Sequence, residues 1–423
     1  MLKTELLEII ANGENSGIEF KRDDIRPEDL GKEVVALANL QGGRILLGVE
    51  DDGTITGIQN RGRSSTEEWV MQCFRDKVHP LIIPYYEEIT VQQPDDTTND
   101  SGLKVAVITV EQGTSKPYVL RHNGQERIYI RVGTTSRDAT REQQARLYSV
   151  GGLLHPEVMP VSGTSIASLD MDRVQNYLFD IIKDPERPAT EDQWIERLTG
   201  LGFIARPQNG NTPCTIAGLV SFGIAPRRFL PQAGIRFMAF AGTDKTYQAL
   251  IDEVIDGPLF NRLRVSESGA LENVDNGLIE KISTMIRPYI SLEGEAINAE
   301  MRRERTWLYP WEAVREAVIN AIAHRDWTRS VDIEITVYSD RLEVISPGAM
   351  QNSMTIEKMI AGQRSPRNPL IVNLLRDYGY VDARGMGVRT KIIPLMKAEN
   401  NQEPIFEATD DYVKVILRRK SNS

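Results

Sequence analysis

The sequence predicts an α/β (α+β) protein built from more than one domain, and three observations support this. Helical and strand-like periodicities alternate along the whole chain. At 423 residues the chain is long for a single hydrophobic core. The stretch 151–168 is rich in glycine, proline and serine and has no clear period, so it predicts a linker between domains.

The composition excludes several classes of protein. The hydrophobic share is 40% and the charged share 26%, which is typical of a soluble globular protein. Two cysteines are too few for a disulfide framework or a zinc site and favour a reducing, cytoplasmic setting. The N-terminus contains acids, unlike a signal peptide, and no apolar run approaches the roughly 18 residues of a membrane span. We therefore expect no membrane association.

Residues 1–150 predict one α/β unit. Pro27 and Asp29 open a helix whose apolar residues recur with helical spacing, and two glycines after Gln41 end it. A polar loop over 92–102 separates two strand-like runs and indicates a hairpin. The predicted helices cover 4–11, 30–40 and 67–78, with another beginning at Thr140, and the predicted strands cover 17–22, 44–50, 85–91, 103–110 and 127–132.

The remaining residues predict a small middle α+β unit over 169–295 and a last unit over 296–423. The middle unit combines helices over 169–182, 191–198 and 277–290 with short strands over 201–204, 215–222 and 235–241. The last unit has a strong helix over 311–325, a strand pair over 331–337 and 341–346, a helix over 369–377 and a closing strand over 414–417. No internal repeat is visible.

Glu14, Glu19 and Asp51 form the sharpest candidate site. They flank two predicted strands, so they could meet at one end of a small sheet, with Lys21 beside them. Carboxylate oxygens are the ligands that Mg²⁺ and Mn²⁺ prefer, and such a metal can promote cleavage of a phosphodiester. The alternative is structural: Glu14 caps a turn, Lys21 pairs with a neighbour, and 50–53 is a solvated hairpin turn.

A basic stretch follows between residues 113 and 150. The formal net charge of −10 argues against indiscriminate nucleic-acid binding. This stretch nevertheless carries seven basic residues against three acids, or 7 − 3 = +4. It could grip a nucleic-acid backbone, or its arginines could pair with acids of the first hundred residues. The basic residues are Lys116, Arg121, Arg127, Arg131, Arg137, Arg141 and Arg146.

A second candidate site lies in the last unit. Glu316 and Asn320 stand one helical turn apart, where a glutamate could orient a water and an asparagine could hold Mg²⁺. The segment 379–389 supplies glycines that let backbone amides approach phosphates. No Walker-type loop is present. The alternative is a buried polar pair, and His324 is predicted to be a helix C-terminal residue favoured by the dipole.

The first 150 residues resemble a Schlafen/AlbA-type domain. The matching motifs are Glu14 to Lys21, Ala38-Asn-Leu-Gln-Gly-Gly43, Gly48-Val-Glu-Asp51-Asp52-Gly and Ile130-Arg-Val-Gly-Thr-Thr135. In Schlafen nucleases, two glutamates five residues apart and an aspartate form a divalent-metal site that cuts structured RNA, tRNA in particular. The resemblance therefore implies a metal site of Glu14, Glu19 and Asp51, with Lys21 next to it.

Residues from about 168 onward resemble the RecG-like C-terminal proteins, and the last part is similar to GHKL ATPases. The resemblance implies a GHKL-like α/β sandwich in which Glu316 activates water, Asn320 binds Mg²⁺, and Arg384, Gly385 and Gly387 cover the phosphates of ATP. One departure is clear. The GHKL turn whose aspartate reads adenine is here Ser346-Pro347-Gly348-Ala349-Met350, which lacks that aspartate, so Gly348 would keep nucleotide contact while hydrolysis is in question.

Three functional hypotheses follow. The first is an endonuclease that depends on Mg²⁺ or Mn²⁺, acts on RNA more than on DNA, and is governed by ATP binding, as in a phage-defence effector. The second is a nucleotide-responsive regulator that binds DNA or RNA without catalysis. The third is an ATPase whose first domain recruits a partner. The resemblance also implies a homo-oligomer.

Overall fold

The chain divides into two compact units in a computed structural model, Met1–Leu154 and His155–Ser423. The structure describes residues 1–58, 65–91, 103–206, 211–266, 271–297, 303–351, 354–381 and 387–420. Mixed helices and sheets confirm the α+β class. Over these described ranges, no helix is both long enough and apolar enough to cross a membrane.

The first unit is built on a four-stranded mixed sheet, together with a three-stranded sheet and a two-stranded ribbon. The strand order is β1-β2-β5-β4, with β1 parallel to β2 and the other neighbours antiparallel. The elements in chain order are α1 (Lys3–Asn12), β1 (Ile18–Lys21), α2 (Pro27–Asn39), β2 (Gly42–Leu47), α3 (Thr66–Lys77), β3 (Val78–His79), β4 (Tyr85–Thr90), β5 (Lys104–Glu111), β6 (Val119–His122), β7 (Gln125–Arg127), β8 (Tyr129–Val132), β9 (Thr135–Asp138) and α4 (Arg141–Val150).

Both faces of this sheet are covered by apolar side chains. Ile45 and Leu47 of β2 pack with α2 and α3, whereas Leu46 between them packs with Leu6 of α1. Successive residues of a strand point to opposite faces, so one buried strand serves two cores. The predicted strand over 44–50 and the helix after Pro27 are thereby confirmed.

The turn between α2 and β2 places β2 against the segment that leads into β1. Gly43 lies so close that a Cβ atom there would stand 2.5 Å from the Gly17 carbonyl oxygen, so no larger residue fits. Buried Asn39 donates to the carbonyls of Tyr118 and Tyr129, both at 2.9 Å, and accepts from Tyr118 N at 2.8 Å. Asn39 thus fixes β6 and β8 to α2.

The second unit contains a six-stranded sheet and two separate two-stranded ribbons. Short 3₁₀ turns and π-helical turns interrupt the helices. The elements are α5 (Met171–Asn176), α6 (Glu191–Gly200), α7 (Ile216–Phe222), β10 (Gly234–Ala239), β11 (Ile251–Asp256), β12 (Arg262–Val265), β13 (Leu271–Asp275), α8 (Leu278–Ile290), β14 (Ser291–Ile297), β15 (Arg303–Trp307), α9 (Trp311–His324), β16 (Ile333–Val337), β17 (Arg341–Pro347), α10 (Ile356–Ile360), α11 (Pro369–Asp377), α12 (Ile393–Leu395), β18 (Ile405–Ala408) and β19 (Tyr412–Arg418).

The six-stranded sheet joins parts of the chain that the sequence assigns to two units. Its order is β11-β10-β16-β17-β19-β18, and β10 pairs in parallel with β16. Strand β10 belongs to the predicted middle unit and β16 to the predicted last unit. The residues of both therefore share one sheet and one buried core, in which α8 and α9 also take part.

Three local predictions differ from the structure. The predicted strand over 201–204 is a turn, in which Ile204 forms an isolated bridge with Cys214. The stretch 215–222 forms helix α7 instead of a strand, because Thr215 caps it by accepting from Gly218 N at 3.0 Å and every residue of the helix is buried. Within 151–168, predicted as a linker, Glu157 is 1% exposed. Its two carboxylate oxygens accept the backbone N–H groups of Leu370 and Ile371 at 2.8 and 2.9 Å, which caps α11.

Candidate functional sites

Glu19 is a buried acid at the edge strand β1 of the first unit. Its side chain is 5% exposed, and its Oε1 contacts the Lys21 ammonium two residues along the strand. Its Oε2 lies 2.6 Å from NH2 of Arg131, whose side chain is fully buried. The predicted site residues Glu19 and Lys21 are therefore together, paired with each other and with an arginine that sequence reasoning placed in a basic stripe.

Arg131 links this strand to helix α2. Its NH1 lies 3.3 Å from Oε2 of Glu33, and Ser136 of β9 donates to the same oxygen at 2.5 Å. Glu33 is 7% exposed, and burial followed by the charge of Glu19 raises its pKa against the Ser136 hydrogen bond. Sequence reasoning missed Glu33 because it stands among apolar residues of an amphipathic helix.

Glu14 and Asp51 lie in the same region but outside this ion-pair network. Glu14 is half-buried and accepts from Phe20 N at 2.8 Å, as the turn-capping alternative requires. Burial is the main cause of its raised pKa, and the charges of Glu19 and Asp51 raise it further. Asp51 is exposed. The charges of Glu19 and Asp51 therefore act on Glu14.

The three acids have the right chemistry for a hard divalent cation but are not drawn together as ligands. Across the described ranges, no group of three or more His, Cys, Asp or Glu side chains stands close enough to hold a metal. Carboxylate oxygens suit Mg²⁺ or Mn²⁺. Both oxygens of Glu19 already face cations of the chain itself. The carboxylate oxygens of the three acids therefore suit a metal chemically, but the position of Glu19 is set by its ion pairs with Lys21 and Arg131.

The basic stretch contains both buried and exposed side chains. Arg131 and Lys116 are buried, and Lys116 donates to the Leu40 carbonyl at 2.8 Å. Arg131 pairs with Glu19 and Glu33, as the structural alternative supposes, whereas Arg121 pairs with Glu126 on the surface. Five of the seven are exposed and available to a polyanion, namely Arg121, Arg127, Arg137, Arg141 and Arg146.

In the second unit, one face of α9 lines a cavity of about 290 Å³. Glu316, Asn320 and His324 stand four residues apart on this face and span about 12 Å along the helix at 1.5 Å per residue. Strands β17, β18 and β19 form the opposite wall with Val344, Phe406 and other apolar side chains. The volume is at the lower end of the range of small-molecule sites, about 300 Å³.

Glu316 meets a glycine at one end of the cavity. Its Oε1 accepts from Asn320 Nδ2 at 3.1 Å. A Cβ atom on Gly387 would lie 1.7 Å from the same oxygen, so a larger residue there would displace the Glu316 carboxylate. Arg384 and Gly385, also predicted to contact nucleotide, lie outside the described residues. Tyr380 precedes that segment, and its carbonyl accepts a hydrogen bond from NH2 of Arg315 on α9 at 2.8 Å.

Most of the charged side chains that line the cavity are cationic. Among the described residues that line it, Glu316 is the one acid, against Arg364, Arg367, Arg376 and Arg389. His324 ends α9 as predicted, and the surrounding protein followed by the charge of Arg367 lowers its pKa, although the residue is exposed. An anionic ligand suits this lining.

The turn after β17 rests on an ion pair that sequence reasoning missed. Asp326, 1% exposed, lies 2.8 Å from NH1 of Arg367, and Arg367 also donates to the Ala349 carbonyl. Gly348 has φ +113, and a Cβ there would lie 2.5 Å from the Asp326 Cβ. Asn368 donates to the carbonyls of Ala323 and Arg325 at the end of α9. The buried aspartate therefore supports the turn and does not face the cavity.

Comparison with known proteins assigns both regions. Residues 14–140 match the family described as "Schlafen, AlbA_2", and residues 331–417 match that described as "Putative ATP-dependent DNA helicase recG C-terminal". The first match includes Glu14, Glu19, Asp51 and Arg131, whereas α9 with Glu316 precedes the second. No curated protein matches the chain significantly.

Among solved structures, the chain is similar to the crystal structure of the DIP2311 protein from Corynebacterium diphtheriae. The identity is 20%, the TM-score is 0.41, and the match covers 99% of this chain and 80% of that one. The two family matches confirm the domain types that the motifs indicated. The chain therefore contains a Schlafen AlbA_2 domain and an ATPase-like, recG-type C-terminal domain.

Proposed function

We propose that the protein binds a magnesium–nucleoside triphosphate, ATP by resemblance, in the cavity beside α9, and that this binding governs nucleic-acid binding by the first unit. The cavity itself carries the proposal: a single glutamate beside an asparagine, in a lining otherwise rich in arginine. Asn320 would hold the metal, which would neutralise phosphate charge, and the arginines would bind phosphate oxygens. Glu316 would orient a water for attack on the terminal phosphate.

Calorimetric titration with ATP and Mg²⁺ tests this proposal. We expect binding that Asn320→Ala weakens at least tenfold, about 1.4 kcal/mol, whereas Glu312→Gln on the exposed face of the same helix leaves it unchanged. Glu316→Gln should retain binding and abolish any turnover. Absence of binding to every nucleoside triphosphate would refute the proposal. Binding without turnover would leave a nucleotide-responsive regulator, and turnover without nucleic-acid binding would favour an ATPase.

A second candidate function, a metal-dependent endonuclease, is favoured by the electrostatic coupling of Glu14 with Glu19 and Asp51. These acids would hold Mg²⁺ or Mn²⁺, and the metal would supply an activated water and stabilise charge on the scissile phosphate. Lys21 is near enough to the acids to share that task, and the exposed arginines would bind the backbone. RNA as substrate, a role in phage defence and self-association are parts of this proposal.

Cleavage of tRNA in the presence of Mn²⁺ tests the second candidate. We expect Glu14→Gln to abolish cleavage and to keep RNA binding, because the exposed arginines are untouched. Asp52→Asn is the matched control, since Asp52 is an exposed acid that bonds its own turn through Thr54 N at 2.9 Å. Equal cleavage by Glu14→Gln, or no cleavage with any divalent metal, would exclude an endonuclease and leave binding alone.

A further inference from the structure

The Arg131 guanidinium occupies a buried position between two acids and the loop that carries Glu14 into β1. Its side chain has no solvent exposure. NH2 donates to the carbonyls of Asn15 and Ile18 at 2.8 and 3.1 Å, and NH1 donates to Glu33 at 3.3 Å. Arg131 therefore keeps three partners without counting Glu19.

The contact between Arg131 and Glu19 is close but lacks an oriented hydrogen bond. NH2 lies 2.6 Å from Glu19 Oε2, yet this buried oxygen receives no hydrogen bond from any described residue. Buried carboxylate oxygens without hydrogen bonds are rare because their lost hydration is not replaced. Oε2 is thus attracted to Arg131 by charge without a hydrogen bond. A divalent cation could bind Oε2 while Arg131 stays bonded to Glu33 and the two carbonyls.

The charges of the network balance without a metal. Glu19 and Glu33 carry two negative charges, and Lys21 and Arg131 carry two positive charges. Glu14 and Asp51 then remain to offset an added divalent cation. Moving Glu19 from Arg131 to that cation would give the cation three carboxylates and would leave Arg131 paired with Glu33.

We infer that Arg131 is the internal counter-ion of this acid site and that a divalent cation must compete with Arg131 for Glu19. The inference rests on the proposed endonuclease site and concerns its cation affinity. Arg131 acts through Glu19, so it is a positioning residue. It sets the metal concentration at which the three acids assemble.

The test is Mn²⁺ binding by the full chain without nucleotide, followed by electron paramagnetic resonance of free Mn²⁺. We expect Arg131→Gln to raise the affinity at least tenfold, and the added Glu19→Gln to remove the gain. Arg44→Gln is the matched control, because Arg44 forms an exposed pair with Glu5 at 3.3 Å in the same unit. An unchanged or weaker affinity in folded Arg131→Gln overturns the inference.

Lys21→Gln keeps the test decisive if Arg131→Gln does not fold. The Lys21 side chain is 23% exposed and is the other cation on Glu19, so its loss should raise Mn²⁺ affinity in the same direction. If wild type binds Mn²⁺ through Glu19 and cleaves RNA but neither variant binds more tightly, the endonuclease stands and the inference fails. If no form binds Mn²⁺, both fail. If only the variants bind, the inference holds and wild type lacks the metal-dependent activity.

Discussion

Each unit contains a buried arginine that contacts a buried acid, but the two acids differ in what else they face. Arg131 of the first unit contacts Glu19, the predicted catalytic acid, whereas Arg367 of the second unit contacts Asp326, which lies beneath a turn. Glu316, the predicted acid of the second unit, forms no ion pair with a described residue and lines the cavity. The second site is therefore arranged for a ligand, and the first is held by its own cations.

This difference shows that burial of an acid does not by itself indicate catalysis. A buried ion pair offsets its own desolvation only when its geometry and its remaining hydrogen bonds are good. Asp326 meets more of this condition, since it also accepts from Thr328 N and Oγ1 at 3.0 and 2.7 Å, although NH1 of Arg367 makes no hydrogen bond to a described residue. Glu19 Oε2 accepts no hydrogen bond from a described residue. The weaker network is the one expected to rearrange on binding.

The largest expected effect comes from breaking the better network. Asp326→Ala leaves the Arg367 guanidinium buried without its carboxylate, and we expect the free energy of unfolding of the second unit to fall by about 3–5 kcal/mol. Urea unfolding followed by tryptophan fluorescence measures this loss. Glu403→Gln, which removes an exposed partner of Lys397, should cost under about 1 kcal/mol. Equal losses in both variants would show that the buried pair has no special role.

An intermediate effect is expected at the ligand-facing acid. Gly387→Ala places a Cβ within 1.7 Å of Glu316 Oε1, so the carboxylate or the backbone must shift. Such overpacking costs about 1–3 kcal/mol, and we expect nucleotide affinity to fall about tenfold to a hundredfold. Gly242→Ala is the control, because a Cβ there meets nothing within 4 Å. If Gly387→Ala leaves nucleotide affinity unchanged, nucleotide binding does not depend on the position of Glu316.

The smallest expected signal is the thiol reactivity of the folded protein, which also separates the two units. Cys73 lies in the first unit and Cys214 in the second, and both are buried. Burial raises the pKa of Cys73 to about 12 and that of Cys214 to about 11. A raised thiol pKa favours the unreactive protonated form, so at pH 8 we expect almost no alkylation by iodoacetamide.

Alkylation in increasing urea, read by mass spectrometry, would then report the unfolding of each unit at its own cysteine. Loss of Asp326 should expose Cys214 at lower urea and leave Cys73 unchanged. Fast labelling of either cysteine without denaturant would contradict the buried positions. Simultaneous labelling in every variant would show that the two units unfold together.

Elements with a strong local pattern could be predicted from the sequence. Helix α9 is confirmed within one residue of the predicted 311–325, and the strands over 331–337 and 341–346 are confirmed as β16 and β17. Their patterns are long and periodic, or flank a polar turn. The all-apolar stretch 215–222 has no distinguishing period, and its helical form depends on the Thr215 cap and the surrounding core. The ribbon of β14 and β15 was not predicted.

The sequence by itself determined the domain types and the candidate acids, because motifs such as Glu14 to Lys21 and Glu316 with Asn320 involve residues close together in the chain. Only the tertiary structure decided which charges meet. Arg131 reaches Glu33 across 98 positions, and Arg367 reaches Asp326 from beyond two strands. Ion pairs depend on distances of a few ångströms between residues that are distant in the chain, and no local pattern encodes such distances.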